Sequence, residues 1–117
     1  MEQRILYIDV ASGAARREVL DEPGIYGPLD LALKVWDGGR RLVFGGGPLA
    51  GSIVPGSNRL TFAGYSPAWD GFFSSSMGGA ALPFDDVWPN LVVVEGRAAT
   101  PSVLLITMKD GDLRVEV

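Results

Sequence analysis

The sequence predicts one α+β domain in which short, mostly antiparallel strands outnumber one or two short helices. Its length of 117 residues suits a single domain, which we assign to residues 1–117. Its 16 Gly and 8 Pro are spread along the chain, which favours many turns over a helix bundle. Between these turns lie roughly seven apolar segments of strand length.

The first predicted element is an N-terminal β-hairpin. Residues 4–10 form a strand in which alternate apolar side chains share one face: Leu6, Ile8 and Val10. Residues 11–13 have the composition of a turn, and the more polar segment 16–20 is the returning strand. The loop that follows extends to Gly27.

The middle of the chain contains a short predicted helix and two strands. Pro28 suits the first position of a helix that extends to Trp36, and Asp37-Gly38-Gly39 follows as a stop signal. Strands are expected at residues 41–44 and 60–65, on either side of a loop rich in Gly, Pro and Ser.

Residues 66–90 show no clear strand periodicity and are predicted to be irregular. Pro83 and Pro89 leave room for only a short helix between them, if any. The segment Leu91-Val92-Val93-Val94 is apolar at every position, as expected of a central strand that is covered on both faces.

A second hairpin is predicted at the C-terminal end. Residues 103–108 and 113–117 have strand character and flank Lys109-Asp110-Gly111-Asp112. Asp-Gly is a favoured two-residue hairpin turn, since both positions require a positive φ.

The absence of Cys and His from the sequence removes several catalytic chemistries. Without Cys there is no thiolate nucleophile, zinc knuckle or Cys-ligated iron–sulfur cluster. Without His the Ser–His–Asp and H-E-x-x-H chemistries are excluded. The acids Asp85, Asp86 and Glu95 remain as candidates for hard cations or acid–base work, but their spacing does not favour either role. We therefore expect no catalytic residue and no metal ligand in the chain itself.

The net charge of −4 and the sequence pI of about 4.6 predict no nucleic-acid or anionic-membrane partner. No apolar run approaches the roughly 18 residues of a membrane span. No charged and then apolar leader opens the sequence. The expected location is cytoplasmic.

Two Gly-rich segments are candidates for ligand binding. Gly45-Gly46-Gly47-Pro48-Leu49-Ala50-Gly51 lacks the G-K-[ST] ending of a phosphate loop, and a tight turn beneath a sheet is the favoured interpretation. Residues 74–81 offer hydroxyls and unhindered N–H groups, which suit an anion or a flat ring as well as a surface turn. Arg59 lies between the two segments and suits a planar anion, although an exposed Arg at a strand end is also common.

Taken in order, these segments resemble the N-terminal domain of the tungstopterin-dependent aldehyde ferredoxin oxidoreductase family. The resemblance begins with the strand at residues 5–10 and Ser12-Gly13, and it includes Ser66-Pro67. Its longer motifs are Gly46-Gly47-Pro48-Leu49-Ala50-Gly51-Ser52, Pro55-Gly56-Ser57-Asn58-Arg59, Ser76-Met77-Gly78-Gly79 and Leu91-Val92-Val93-Val94-Glu95-Gly96-Arg97. The resemblance spans most of the chain, with order and similar spacing kept from Gly46 to Gly96.

In that family the domain is a base on which a bis-pterin tungsten cofactor lies. The resemblance implies a cofactor site that contains Arg59, Ser76, Gly78 and Gly79. Ser76 departs from the family's usual Asn, which helps to hold the magnesium–phosphate part of the cofactor. The identity of any cofactor is unknown from the residues, and a tungsten or molybdenum pterin is implied by the resemblance alone.

The resemblance also implies that this sequence corresponds to half of a duplicated unit. The family's N-terminal domain looks like two β-rich motifs with interleaved strands, and this sequence resembles the first. The second motif, the cluster cysteines and the substrate pocket are not in it. A lone motif leaves sheet edges and apolar faces uncovered, so we expect a homodimer with interleaved strands.

Two functions of different classes follow. The first, which the sequence favours, is a homodimeric structural or interaction module that resembles the family's N-terminal domain and has no catalytic activity of its own. The second is a tungsto- or molybdopterin-binding subunit of a split oxidoreductase that acts on aldehydes. In that case a larger oxidoreductase subunit would be the partner.

Overall fold

The computed structural model describes residues 1–38 and 40–117, and within them the chain forms eight strands and two short helices. Their order is β1 (Glu2–Asp9), β2 (Ala15–Asp21), α1 (Pro28–Lys34), β3 (Arg41–Gly45), β4 (Arg59–Ser66), β5 (Gly71–Gly78), α2 (Ala81–Asp85), β6 (Leu91–Glu95), β7 (Leu105–Lys109) and β8 (Asp112–Glu116). The fold is mixed α+β with mostly antiparallel strands, which confirms the predicted class.

Six strands form one sheet in the order β2-β1-β6-β3-β4-β5, and β7 and β8 form a separate two-stranded sheet. Only β1 and β6 pair in parallel among the described strands. β6 lies between β1 and β3, and Leu91, Val92 and Val93 are completely buried. The prediction of a central strand at this position is confirmed.

The two faces of the large sheet bury different layers. On one face α1 packs against the sheet, and the buried cluster there is Ile5, Tyr7, Ile25, Leu31, Ala32, Val43, Ala63, Leu91 and Val93. On the other face the buried residues are Leu6, Ile8 and Val92, packed against apolar side chains of the β7–β8 segment. The strand alternation that predicts one face for Leu6 and Ile8 therefore holds.

The helix α1 begins at Pro28 as predicted and ends at Lys34, two residues before the predicted end. The carboxylate of Asp30 accepts hydrogen bonds from the backbone N–H groups of Tyr26 (3.0 Å) and Gly27 (3.1 Å). These bonds satisfy donors that a helix start leaves unpaired. Gly39, part of the predicted stop signal, lies outside the described residues.

The prediction that residues 66–90 are irregular is wrong. Residues 71–78 form β5, which pairs antiparallel with β4 along its whole length. The sequence pattern does not predict this strand, because residues 74–78 are exposed on both faces of the sheet and show no apolar alternation. Backbone pairing with β4, rather than intrinsic β-propensity, explains why a serine-rich segment is extended here.

The helix α2 also differs from the prediction, because it begins at Ala81 and includes Pro83 instead of following it. Proline is tolerated there since the first turn of a helix leaves its N–H groups unpaired in any case. Neither described helix has the length and apolar character that a membrane span requires.

The C-terminal hairpin is confirmed, with β7 beginning at Leu105 rather than at residue 103. Asp110 and Gly111 both have positive φ, 51° and 79°. This is the conformation that a two-residue type I′ turn requires, and it explains the Asp-Gly pair.

Candidate functional site

The start of β4 and the end of β5 bring most of the predicted site together. Arg59 and Gly78 are direct partners in the β4–β5 ladder. The Arg59 guanidinium donates a hydrogen bond from Nη1 to Ser76 Oγ at 3.0 Å. Because Ser76 and Gly78 are two residues apart on one strand, both lie on the same face as Arg59.

The two predicted glycines have different structural explanations. Gly79 has φ of +77°, a left-handed conformation that glycine adopts without strain and that turns the chain from β5 toward α2. Gly78 has no such φ, and a Cβ built on it would have no neighbour within 4 Å. No contact among the described residues requires glycine at position 78, and its effect is to leave the surface beside Arg59 flat.

Two hydroxyl-bearing residues extend this surface: Thr61, which the sequence interpretation missed, and Ser74, which it included only as part of the segment 74–81. Thr61 is the ladder partner of Ser76, and Ser74 is the partner of Ala63. We call Arg59, Thr61, Ser74, Ser76 and Gly78 the Arg59 floor. Alternate positions of β4 and β5 would have identified Thr61 and Ser74 if β5 had been recognised as a strand.

The Arg59 floor continues the sheet face that α1 covers. Ala63, two residues beyond Thr61 on β4, is 1% exposed and belongs to the cluster that packs under α1. Arg59, Ser74, Ser76 and Gly78 are instead exposed to solvent. The same face therefore changes from buried and apolar to open and polar along one pair of strands.

Arg59 is a cationic residue of this surface that pairs with no described carboxylate. Within residues 1–38 and 40–117 it takes part in no ion pair, whereas Arg16 pairs with Glu18 and Arg41 with Glu95. A guanidinium has five N–H donors, and the Ser76 bond uses one nitrogen of the three. The remaining donors form no hydrogen bond within the described residues and could bind an anionic ligand.

The first Gly-rich segment forms consecutive turns rather than a phosphate cradle. The N–H of Ala50 donates to the carbonyl of Gly47 (3.1 Å), and the N–H of Ser52 donates to that of Leu49 (3.0 Å). The backbone N–H of Gly51 donates to Asn58 Oδ1 at 2.7 Å, which ties the segment to the residue just before Arg59. The segment thus supports the position of β4 and is the turn that the sequence favoured.

The candidate acids are not brought together. Glu95 lies on β6 and accepts a hydrogen bond from Arg41 Nε at 3.1 Å. Asp85 is the last residue of α2, and Asp86 follows it. In the part of the chain that the structure describes, no three His, Cys, Asp or Glu residues are placed to hold a metal ion.

One cavity lies away from the Arg59 floor. It has a volume of about 370 Å³ and is lined by Val10, residues 97–102, Leu104 and Val117. A second, more polar cavity of about 260 Å³ includes Arg4, Asp85 and Asn90 in its lining. The Arg59 floor is an open surface, so a ligand on it would need a second surface to enclose it.

One titrating group lies in the core of the face under α1. Burial raises the pKa of Tyr7 above its ordinary value of 10.0, and the nearby Glu18 carboxylate acts in the same direction. Arg16 and Arg41 oppose this shift, and the Arg16 guanidinium carbon lies 3.7 Å from the centre of the Tyr7 ring.

Comparison with known proteins gives a family match over almost the whole chain. The model of the aldehyde ferredoxin oxidoreductase N-terminal domain matches residues 5–116. A glyceraldehyde-3-phosphate:ferredoxin oxidoreductase from Pyrococcus furiosus is 44% identical over 71 residues, which are 61% of this chain and 11% of that protein. An uncharacterized protein from Methanocaldococcus jannaschii is 47% identical over 73 residues, 62% of this chain and 11% of that protein.

Among solved structures, the active site complex BamBC of benzoyl coenzyme A reductase shares the fold. The TM-score is 0.73 with 20% sequence identity, over 98% of this chain and 20% of that chain. That structure contains 1,5-dienoyl-CoA. This chain thus spans only about a tenth of the length of the curated relatives that it matches.

Proposed function

The chain belongs to the aldehyde ferredoxin oxidoreductase N-terminal domain family, and from that membership we propose that it is a binding module for a metal–pterin cofactor. In this proposal the cofactor, with tungsten or molybdenum, lies on the Arg59 floor. The module works with a larger oxidoreductase subunit that acts on aldehydes. The single observation that carries the proposal is the Arg59 guanidinium, which donates to Ser76, forms no ion pair with a described residue and lies beside the open surface at Gly78.

The residues of the Arg59 floor fit a planar, phosphate-bearing ligand. A guanidinium offers a planar set of donors that matches a phosphate group. The Ser76 bond holds Nη1 of Arg59 against β5 and so orients the group. The open space at Gly78 allows a flat ring to approach the backbone, where a larger side chain would hold it away.

When bound, the metal–pterin supplies the redox chemistry. The residues of this chain bind its phosphate and orient its ring, and they carry no catalytic step. Ser74, Ser76 and Thr61 offer hydroxyl oxygens but no carboxylate, so a magnesium ion in the site would be held through the cofactor's own phosphates. The groups that bind the aldehyde and carry electrons belong to the partner subunit in this proposal.

The test is the cofactor content of the protein after expression in a host that makes metal–pterins. Wild-type protein is expected to co-purify with tungsten or molybdenum and with pterin. Arg59→Ala is expected to reduce both by at least about tenfold, because it removes the charged donor. The matched control is Arg114→Ala, an exposed Arg on β8. Pterin content that is equal in Arg59→Ala and wild type would contradict the assigned site.

A second candidate function is a structural or interaction module that binds no cofactor. It is favoured by the exposed edge strand β5, which offers an unpaired backbone for a protein partner. It predicts wild-type protein without metal or pterin from a competent host. The same metal and pterin assay therefore separates the two functions.

A further inference from the structure

The two edges of the large sheet are built differently. One edge is β2, which carries four charged residues: Arg16, Arg17, Glu18 and Asp21. The other edge is β5, whose sequence Gly-Phe-Phe-Ser-Ser-Ser-Met-Gly has no charge. Soluble proteins commonly protect sheet edges with charge or proline. The edge at β5 has neither.

The edge at β5 is also open. Residues 74–78 are exposed, with Phe73 46% and Met77 56% exposed. Among the described strands β5 pairs with β4 alone, so the N–H and C=O groups on its other side have no strand partner. Such an edge is a template for a further strand.

The sequence of β5 is complementary to itself when it is read antiparallel around Ser75. Phe73 then lies opposite Met77 of the second strand, on the same face as the two Ser75 residues. Ser74 lies opposite Ser76, and Phe72 opposite Gly78. These pairs are a sulfur–aromatic contact, a hydroxyl pair and an aromatic ring across an edge glycine.

We propose that β5 pairs antiparallel with β5 of a second copy of this chain, about a twofold axis at Ser75. The seven residues paired in this register, 72–78, are uncharged, so no like charges lie opposite each other across the seam. An apolar groove of about 130 Å³ borders the seam and includes Leu42, Phe62 and Phe73 in its lining. The partner's Met77, opposite Phe73, extends that apolar surface across the seam.

The pairing also changes the Arg59 floor. The partner's Ser74 lies opposite Ser76, and the partner's Phe72 lies opposite Gly78, so each floor gains residues from the second chain. This proposal concerns the partner of β5 and does not depend on cofactor binding.

Cysteine cross-linking tests the register. The chain has no Cys, so Ser75→Cys introduces a single thiol. In the proposed register this thiol lies opposite the same thiol of the second chain, at a distance that a disulfide can bridge. Ser74→Cys places exposed thiols about 7–8 Å apart on the diagonal, and Val19→Cys places one on the opposite edge. Rapid covalent dimers are expected for Ser75→Cys alone. Equal cross-linking of all three variants would overturn the register.

Introducing a charge on β5 tests the contact itself. Ser75→Lys puts two ammonium groups opposite each other, and we expect the dimer Kd measured by sedimentation velocity to rise by at least about tenfold. Val19→Lys, at an exposed position of β2, is the control and should leave the Kd unchanged. Circular dichroism verifies that both variants fold. A wild-type protein that is monomeric at micromolar concentration, or an unchanged Kd for Ser75→Lys, would overturn the proposal.

Discussion

Glycines 45 and 78 show how the same residue type serves opposite purposes in this chain. A Cβ on Gly45 would overlap the carbonyl oxygen of Asn90 and crowd Leu91, so β3 and β6 can approach only because that position has no side chain. A Cβ on Gly78 would meet nothing. Packing of the sheet therefore explains the glycine at position 45. The glycine at position 78 is explained instead by the open surface that it leaves beside Arg59.

This difference predicts different effects of the same substitution. Gly45→Ala should lower the free energy of unfolding by about 2–4 kcal/mol, since backbone on the neighbouring strand must shift. Gly78→Ala should change it by less than about 1 kcal/mol, with no contact to disturb. Urea unfolding of both variants measures the two values. Similar losses of stability for both would contradict this account of Gly78.

A second prediction at the residue scale concerns alkaline pH. Because burial raises the pKa of Tyr7, the folded state binds the phenolic proton more tightly than the unfolded chain does. Its contribution to stability is fully present below pH 10 and is lost as the pH rises through the higher pKa of the folded state. Tyr7→Phe should therefore flatten the decline of unfolding free energy above pH 10. The exposed Tyr26→Phe is the control, and an equal slope in wild type and Tyr7→Phe would refute the assignment.

At the scale of elements, local signals predicted those parts whose geometry depends on neighbours in sequence. Pro28 marks the start of α1, Asp110 and Gly111 mark the last turn, and the uniformly apolar segment 91–94 marks the central strand. β5 could not be found in this way, because its extended form depends on hydrogen bonds to β4 and its exposed serines carry no periodic signal. For the same reason the sequence places Arg59 and Ser76 in one site only through the family resemblance, and it does not predict the hydrogen bond between them.

The start of α1 provides a prediction at this scale. Asp30→Ala removes the carboxylate that accepts from the N–H groups of Tyr26 and Gly27, and should destabilise the protein by about 1 kcal/mol. Asp30→Asn keeps one acceptor oxygen and should lose less. Thermal and urea unfolding of the two variants test this order, and a stability of Asp30→Ala equal to that of wild type would show that the cap contributes nothing.

At the scale of the whole molecule, the coverage of the large sheet is uneven. The β7–β8 segment packs over the Leu6, Ile8 and Val92 cluster, while α1 covers the opposite face. The β4–β5 end has the exposed Phe73 and Met77 on one face and the Arg59 floor on the other. The polar binding surface and the unprotected edge thus occupy the same end of the sheet. A ligand and a protein partner would meet there.

The measurement that tests the central claim most directly is a native mass spectrum of the wild-type protein from a host that makes metal–pterins. The account predicts a species heavier than the bare chain by the mass of a tungsten or molybdenum pterin, with the excess lost when the protein is denatured. A spectrum in which every species has the mass of the chain alone, or a simple multiple of it, would contradict the claim that the Arg59 floor binds the cofactor.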